Sequence, residues 1–400
     1  MRHRVPQLGP PRHGCRRYKQ GVRWAAVRSR RPLGVGLLCI VGAAALAAAE
    51  GTAGDAGPGA APRAGPAAHR GPRFVDAFDA GVFHRGNLHT HTLLSDGDSS
   101  VEEVVRWYRE HGYRFLAITD HNRRLDPSRD AGLATDGFVL LSGEEVTLDV
   151  DGAPVHVNAL CTARTIGAAR FRDRAAALAW AVEAARVQGG VALVNHPNFH
   201  YALDAAVIAR APGAHLFEIW SGHPEVRSAG DATHPSAEAL WEELLTQGAA
   251  SAPAAVDDMH RLGTRPRRDG ERAAPRALPG RGWVEVFVPA LTEAAICDAL
   301  REGHLYASNG PRLRRLTVRG DTLTVGVVEP DALVELLGPG GRLLAQVRLG
   351  AAGTATRQTS YRLTGGERFV RVRVTLPDGA RAWTPAYQVA ASVHPVHDNP

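Results

Sequence analysis

Two histidines stand two residues apart in Asn87-Leu88-His89-Thr90-His91-Thr92-Leu93-Leu94-Ser95-Asp96-Gly97. In extended chain, residues i and i+2 face the same side. His89 and His91 can therefore present two imidazoles side by side, a ready pair of metal ligands. Asp96 follows on a Ser-Asp-Gly turn, where a carboxylate can fold back toward the pair. A lone His-x-His is as readily a polar strand end in water. Here five further ligand-capable sites recur downstream, each in step with an expected strand, and they weaken that simpler explanation.

The collected set is His89, His91, Asp96, His121, Glu145, His156, His196, Asp258 and His260. Imidazoles and carboxylates without a thiolate suit Zn, Mn or Fe and disfavour a structural zinc site. Nine donors exceed what one ion needs, so two to three divalent metal ions sharing a bridging carboxylate are expected. Such a cluster makes hydroxide available near neutral pH and stabilises developing negative charge, which points to metal-assisted hydrolysis. Asp120 reads as an acid that orients the site, and in that sense as a candidate catalytic residue beside His223. His223 reads as a proton donor or substrate contact, or equally as a surface histidine before Pro224. His200, His215, His234 and His304 have no motif around them and read as structural or surface residues. The chain has no Gly-x-Ser-x-Gly elbow, no phosphate-binding P-loop and no HExxH.

These residues need strands to carry them. Val82–His89, Arg114–Thr119, Phe138–Leu141, Pro154–Leu160, Val191–Val194, His215–Trp220, Ala252–Val256 and Trp283–Val288 read as strands. Alternation in Pro154–Leu160 puts His156 and Asn158 on one face. Ser100–Gly112, with Ser99 or Ser100 as N-cap, Phe171–Gln188, stopped by Gly189-Gly190, Ser236–Gln247, stopped by Gly248, and Leu291–Arg301 read as helices. Strands alternating with helices or loops, with polar residues at the strand ends, predict parallel βα units around one active face. Beyond Gly310-Pro311, short strands at Arg315–Arg319, Thr322–Val327, Leu333–Leu337, Leu343–Leu349, Ser360–Leu363 and Phe369–Leu376 predict a small antiparallel sheet or sandwich.

Of the 47 Arg and Lys residues, ten lie in residues 1–49, which carry no acid. The rest of the chain holds 37 against 41 acidic residues, a net of −4. The basic pI near 9.5 thus belongs to the leader, and a nucleic-acid partner is not expected. A small-molecule substrate, anionic if the Arg-rich stretch Arg261–Arg281 engages it, is the expected partner; a solvated loop is the simpler reading of that stretch. Residues 1–49 read as a twin-arginine-like export signal: Arg-rich chain, Ser29-Arg30-Arg31, an apolar run from Leu33 to Ala49, then Ala47-Ala48-Ala49 as a cleavage site. An uncleaved membrane anchor is the alternative. An exported, periplasmic or extracellular protein is expected. Residues 50–72 read as a disordered linker, 73–308 as the metal-site domain, 309–392 as the β domain and 393–400 as a tail. Cys161 and Cys297 remain after the leader. Export permits a disulfide between them, but two buried free thiols is the simpler expectation.

With these motifs assembled, the chain resembles the polymerase and histidinol phosphatase (PHP) metal-dependent hydrolases. The resemblance rests on HTHTLLSDG at 89–97, ITDHN at 118–122, SGEEVT at 142–147, VHVNAL at 155–160, VNHPN at 194–198 and DDMH at 257–260. It implies an α/β fold, a distorted (β/α)7 TIM-like barrel, with a trinuclear site. By position, His89, His91, Glu145 and Asp258 would hold one ion. Glu145, His156 and His196 would hold a second, and Asp96, His121 and His260 a third. Asp96 stands where many members have histidine, and the Gly-x-Glu pattern selects Glu145 over Glu144. EIWSG at 218–222, YASNGP at 306–311 and AWTPAY at 382–387 look most like the CehA/McbA-type branch, named for aryl carbamate hydrolysis. The expected activity is a metal-bridged hydroxide attacking a phosphoester. Carbamate, amide or ester hydrolysis on the same metals is the alternative. A non-catalytic binding protein is the reading from another class.

Overall fold

The computed structural model describes residues 73–390 except 81, 130, 131, 134, 263–275 and 351–356. The expected export signal, linker and tail lie outside the described residues, as does most of Arg261–Arg281. Among the described residues, no helix is long and apolar enough to cross a membrane.

Strand faces follow from alternation. In Val191–Val194, Val191 and Leu193 pack inward with Leu88, Phe115, Leu141 and Leu160, while Ala192 and Val194 pack outward against helices. Both faces are buried, which explains an unbroken apolar run. Helices Arg174–Arg186, Ala205–Ala209 and Ala237–Thr246 cover the outer face, with Leu178, Ile208, Trp241 and Leu244 in that layer. Their starts are chemically marked: Asp173, Asp204 and Ser236 each accept a backbone N–H of the first turn. Helix Val101–Glu110 begins with a full capping box between Ser100 and Glu103.

One sheet runs in the order Ala252–Val256, Leu216–Ser221, Val191–Val194, Ala153–Leu160, Gly143–Val150. A second contains Leu305–Ser308, Trp283–Val286, His84–Asn87, Phe115–Ala117 and Val139–Leu141 in that order. Ser142 alone separates Val139–Leu141 from Gly143–Val150, so the chain passes directly between the sheets. On the other side, His91 N donates to Met259 O (2.8 Å) and Asp258 N to His89 O (3.0 Å). The sheets are thereby tied together on either side of the histidine pair.

The expected run of parallel βα units is found in part: His84–Asn87, Phe115–Ala117 and Val139–Leu141 pair in parallel, and so do Val191–Val194, Leu216–Ser221 and Ala252–Val256, the latter three joined through helices Ala205–Ala209 and Ala237–Thr246. The fold is mixed α/β and sheet-rich, with twenty strands and five α-helices among the described residues, the strands falling in separate sheets with antiparallel members among the parallel ones. Ala153–Leu160 is antiparallel to both Gly143–Val150 and Val191–Val194, and Trp283–Val286 is antiparallel to both its neighbours. The physical reason for the first reversal is Asp151-Gly152. Both residues have positive φ (53° and 85°), the conformation of a two-residue hairpin turn, which forces antiparallel return. Strand His84–Asn87 also ends earlier than expected, two residues before His89.

The C-terminal strands match their expected positions closely, with Arg381–Trp383 and Tyr387–Ala390 added. Phe78–Ala80 pairs with Leu313–Arg319, and Arg73–Phe74 with Tyr387–Ala390, so the first described strands lie in these sheets. Arg381–Trp383 pairs with Leu305–Ser308, making the C-terminal strands continuous with those that carry the site.

Cys161 and Cys297 form a disulfide, with Cα atoms 6.1 Å apart, which overturns the free-thiol expectation. Cys161 follows the Ala153–Leu160 strand and Cys297 lies on helix Glu293–Glu302, 136 residues later. A cross-link over so long a loop removes much freedom from the unfolded chain. Replacing both cysteines with serine is expected to lower unfolding free energy by about 2–5 kcal/mol. Urea midpoints of oxidised and doubly substituted protein check this, and equal midpoints would contradict the cross-link.

Candidate metal centre

The structure brings all nine candidate ligands into one connected cluster centred on Glu145, whose side chain is 1 % exposed. Its Oε1 lies 3.3 Å from His89 Nε2, 3.0 Å from His156 Nδ1 and 3.2 Å from His196 Nε2. Its Oε2 lies 3.4 Å from His91 Nε2 and 2.8 Å from His121 Nδ1. Asp258 Oδ1 approaches His89 Nε2 at 3.4 Å and His91 Nε2 at 3.3 Å. Asp96, half-exposed, faces His121 Nε2 at 3.5 Å, His260 Nε2 at 3.4 Å and His91 Nδ1 at 3.6 Å.

Local geometry explains how neighbours in sequence reach one point. Gly97 N donates to Thr92 O, closing the turn that carries Asp96; a Cβ on Gly97 would meet the His91 carbonyl at 2.7 Å. Asp258 sits in the left-handed region at φ 49°, an unfavourable state for a non-glycine residue and one that concentrates at functional sites. Its carbonyl accepts from His260 Nδ1 at 3.0 Å. Glu145 and Glu144 point opposite ways along their strand. Glu144 accepts the Ile166 and Gly167 N–H groups and so anchors a loop, away from the cluster.

The donor set fits divalent cations. His89 Nε2 and His91 Nε2 are buried without a hydrogen-bond partner, yet each faces two carboxylate oxygens. Three overlapping groups have donor atoms within 4.8 Å of one another: His91, Asp96, His121 and His260; His89, His91 and Asp258; His89, Glu145 and His196. His156 is outside these groups and contacts the cluster through Glu145. Neutral imidazoles and ionised carboxylates around a cation would satisfy atoms that the protein otherwise leaves unpaired.

No protein-family model matches the chain, and no curated protein matches it. Solved structures resemble it distantly. One is a two-domain protein containing a predicted PHP-like metal-dependent phosphoesterase from Bacteroides vulgatus: 16% identity, 79% of this chain and 97% of that chain covered, TM-score 0.41. A proposed metal-dependent phosphoesterase from Bifidobacterium adolescentis shares 18% identity over 47% of this chain and 91% of its own, with TM-score 0.32. An amidohydrolase from Chromobacterium violaceum, with bound sulfate and no metal, shares 16% identity over 44% and 88%, with TM-score 0.34. Likenesses this distant assign no activity, and the functional reading rests on the site itself.

Asp120 and His223 differ in placement. Asp120 is buried, and its oxygens accept from Thr92 N (2.8 Å), Thr92 Oγ1 (2.7 Å) and Ser95 Oγ (2.5 Å). It holds the turn between His91 and Asp96 through these bonds. His223 is half-buried at the edge of the cluster, its ring centroid 5.2 Å from that of His260. A 920 Å³ cavity reaches the chain neighbours of His223, Gly222 and Pro224, but is lined by neither His223 nor any of the nine candidate ligands.

Residues outside the expected set complete the site. Asn195 Nδ2 donates to Glu145 Oε1 (2.8 Å) and Asn158 Oδ1 (2.9 Å), and Asn158 Nδ2 donates to Leu88 O. Asp257 accepts Gly280, Arg281 and Gly282 N–H groups and the Tyr108 hydroxyl, fixing the loop beside Asp258; burial raises its carboxyl to about 6. Glu218 contacts His89. The signal for Glu218 was a lone acid inside the apolar strand Leu216–Ser221.

The electrostatics make protons and cations competitors. Burial opposes charge on Glu145, but His156, His89 and His121 outweigh it and hold the carboxyl well below the usual range. Burial would likewise lower His121, yet Glu145 and Asp96 raise it to about 10. A histidine raised in the folded state contributes stability that is complete below its unfolded value of 6.5 and is lost as pH rises through the folded value. Chelator-treated protein is therefore expected to lose stability between about pH 6.5 and 10. Metal-loaded protein should not, because the cation replaces the proton. Urea midpoints across that range check this, and parallel pH curves for the two forms would contradict it.

Proposed function

We propose that the chain is a metal-dependent hydrolase of phosphoesters, a PHP-type enzyme whose nine clustered ligands hold two to three divalent ions. The observation that carries this reading is Glu145: a buried carboxylate with nitrogens of five imidazoles within 3.4 Å, two of them buried without a hydrogen bond. Bound ions supply Lewis acidity and lower the pKa of water at the site. The chain's own groups do the rest. Glu145 and Asp258 balance cationic charge, while Asn195 and Asp120 hold the ligand-bearing segments in register. His223 Nδ1 accepts the Glu225 N–H at 3.2 Å, so in the neutral ring the proton sits on Nε2, available to a departing oxygen.

A paired assay on p-nitrophenyl phosphates and on aryl carbamates and esters, after metal analysis, tests the reading. Turnover of phosphoesters with about two to three ions per chain is expected. Activity on carbonyl substrates alone would assign the same cluster to carbamate, amide or ester cleavage. A chain that takes up no metal would exclude an enzyme of either kind. We further propose that the protein works outside the cytoplasm. The Cys161–Cys297 disulfide supports this, because such bonds persist in oxidising compartments.

A further inference from the structure

Glu218 lies mid-strand in Leu216–Ser221, between Phe217 and Ile219, which pack outward against the helices. Alternation turns Glu218 inward, where its side chain is fully enclosed. Its Oε2 is 3.1 Å from His89 Nδ1, and its Oε1 has no hydrogen-bond partner. Across the same ring, His89 Nε2 faces Glu145 Oε1 at 3.3 Å and Asp258 Oδ1 at 3.4 Å, without a hydrogen bond.

An ionised carboxylate only accepts hydrogen bonds, so the proton between Glu218 and His89 belongs on His89 Nδ1. The neutral ring then has its lone pair on Nε2, directed into the cluster. His91, His121 and His260 are oriented differently. Their Nδ1 atoms meet Ser95 Oγ at 3.4 Å, Thr147 Oγ1 at 2.6 Å with the clustered Glu145 Oε2 at 2.8 Å, and the Asp258 carbonyl at 3.0 Å. His89 rests instead on a buried carboxylate outside the nine clustered ligands. A carboxylate behind a ligating histidine fixes its tautomer and raises its basicity, and removing such a partner costs about 10–100-fold in metal affinity.

We propose that Glu218 is a positioning residue that holds His89 as its Nδ1–H tautomer and sets the affinity for the ion that His89 binds. This rests on the reading of the cluster as a metal centre. If Glu218 served packing alone, an amide of the same shape would replace it and metal binding would not change.

The test is Zn²⁺ titration of the full chain, wild type against Glu218→Gln and Glu218→Ala, by calorimetry with a competing chelator. Co²⁺ spectra and melting of the metal-free proteins accompany it. One ion should weaken about 10–100-fold in Glu218→Ala and less in Glu218→Gln, with the remaining ions unchanged and the Co²⁺ d–d bands shifted. Where the alanine variant does not fold, the glutamine variant decides. Affinities within twofold of wild type in both variants would overturn the proposal. So would a glutamine variant that loses one ion as completely as alanine, because Glu218 would then be a ligand. Wild-type protein that binds no Zn²⁺ would refute the metal-centre reading itself, a result distinct from either.

Discussion

Glu145→Gln is expected to abolish hydrolysis while Glu144→Gln leaves it nearly intact. The two side chains are adjacent in sequence and opposite in environment. Glu145 touches His89, His91, His121, His156 and His196 and accepts from Asn195; an amide there would lose the negative charge that balances the cations. Metal polarisation of the reacting group is worth several kcal/mol, so loss of the shared carboxylate should reduce kcat/KM by about 10³-fold or more. Metal content should fall with it. Glu144 only anchors the Ile166 and Gly167 N–H groups, and its neutral amide should cost about 1–2 kcal/mol of stability with little effect on turnover. Steady-state kinetics and metal analysis of both variants check this. Full activity in Glu145→Gln, or loss in Glu144→Gln alone, would mean the shared carboxylate is misassigned.

Arg371→Met is expected to destabilise the protein by about 3–5 kcal/mol without touching the metal cluster. Arg371 is 2% exposed on strand Phe369–Thr375, with Nε 2.6 Å from Glu242 Oε2 and Nη1 3.3 Å from Glu238 Oε1. Both acids lie on helix Ala237–Thr246, so this group joins the C-terminal strands to the helical layer. Its guanidinium also lies 5.3 Å from the ring centroid of the buried Trp241. Removing the arginine leaves Glu238 with Arg373 and Arg381, but Glu242 with no cation among the described residues. The penalty is the cost of a buried, unpaired carboxylate and not the worth of the ion pair. Glu242→Gln added to Arg371→Met should therefore recover part of the loss. Chemical denaturation of the single and double variants measures both effects. A loss below about 1 kcal/mol in the single variant would show that water reaches Glu242 and that the pair is not buried in solution.

What could be read from the chain and what could not divide along distance in sequence. Helix starts at Ser100 and Ser236 depend on residues within one turn and were legible, whereas the second helix begins at Asp173, two residues after the expected Phe171. The face shared by His156 and Asn158 depends on a period of two and was legible as well. The hairpin at Asp151-Gly152 carried a local signal that the alternation of strands and helices overshadowed, and it reversed the direction of Ala153–Leu160. The disulfide had no such signal. Whether Cys161 meets Cys297 depends on how helix Glu293–Glu302 packs beneath the strands, 136 residues away.

The sequence by itself determined which residues could ligate a cation, the cap of the first helix and the run of C-terminal strands. Each follows from residue type and a period of two or 3.6, which act over a few residues. The tertiary structure alone decided the distances at which the nine donors meet around Glu145 and that the turn Asp120 holds is the one between His91 and Asp96. It also decided that Glu218, 129 positions from His89, stands behind that ring. Periodicity sets the face on which a side chain emerges. Only packing sets what that face meets, because the partner comes from another strand whose place depends on the closure of every loop between them.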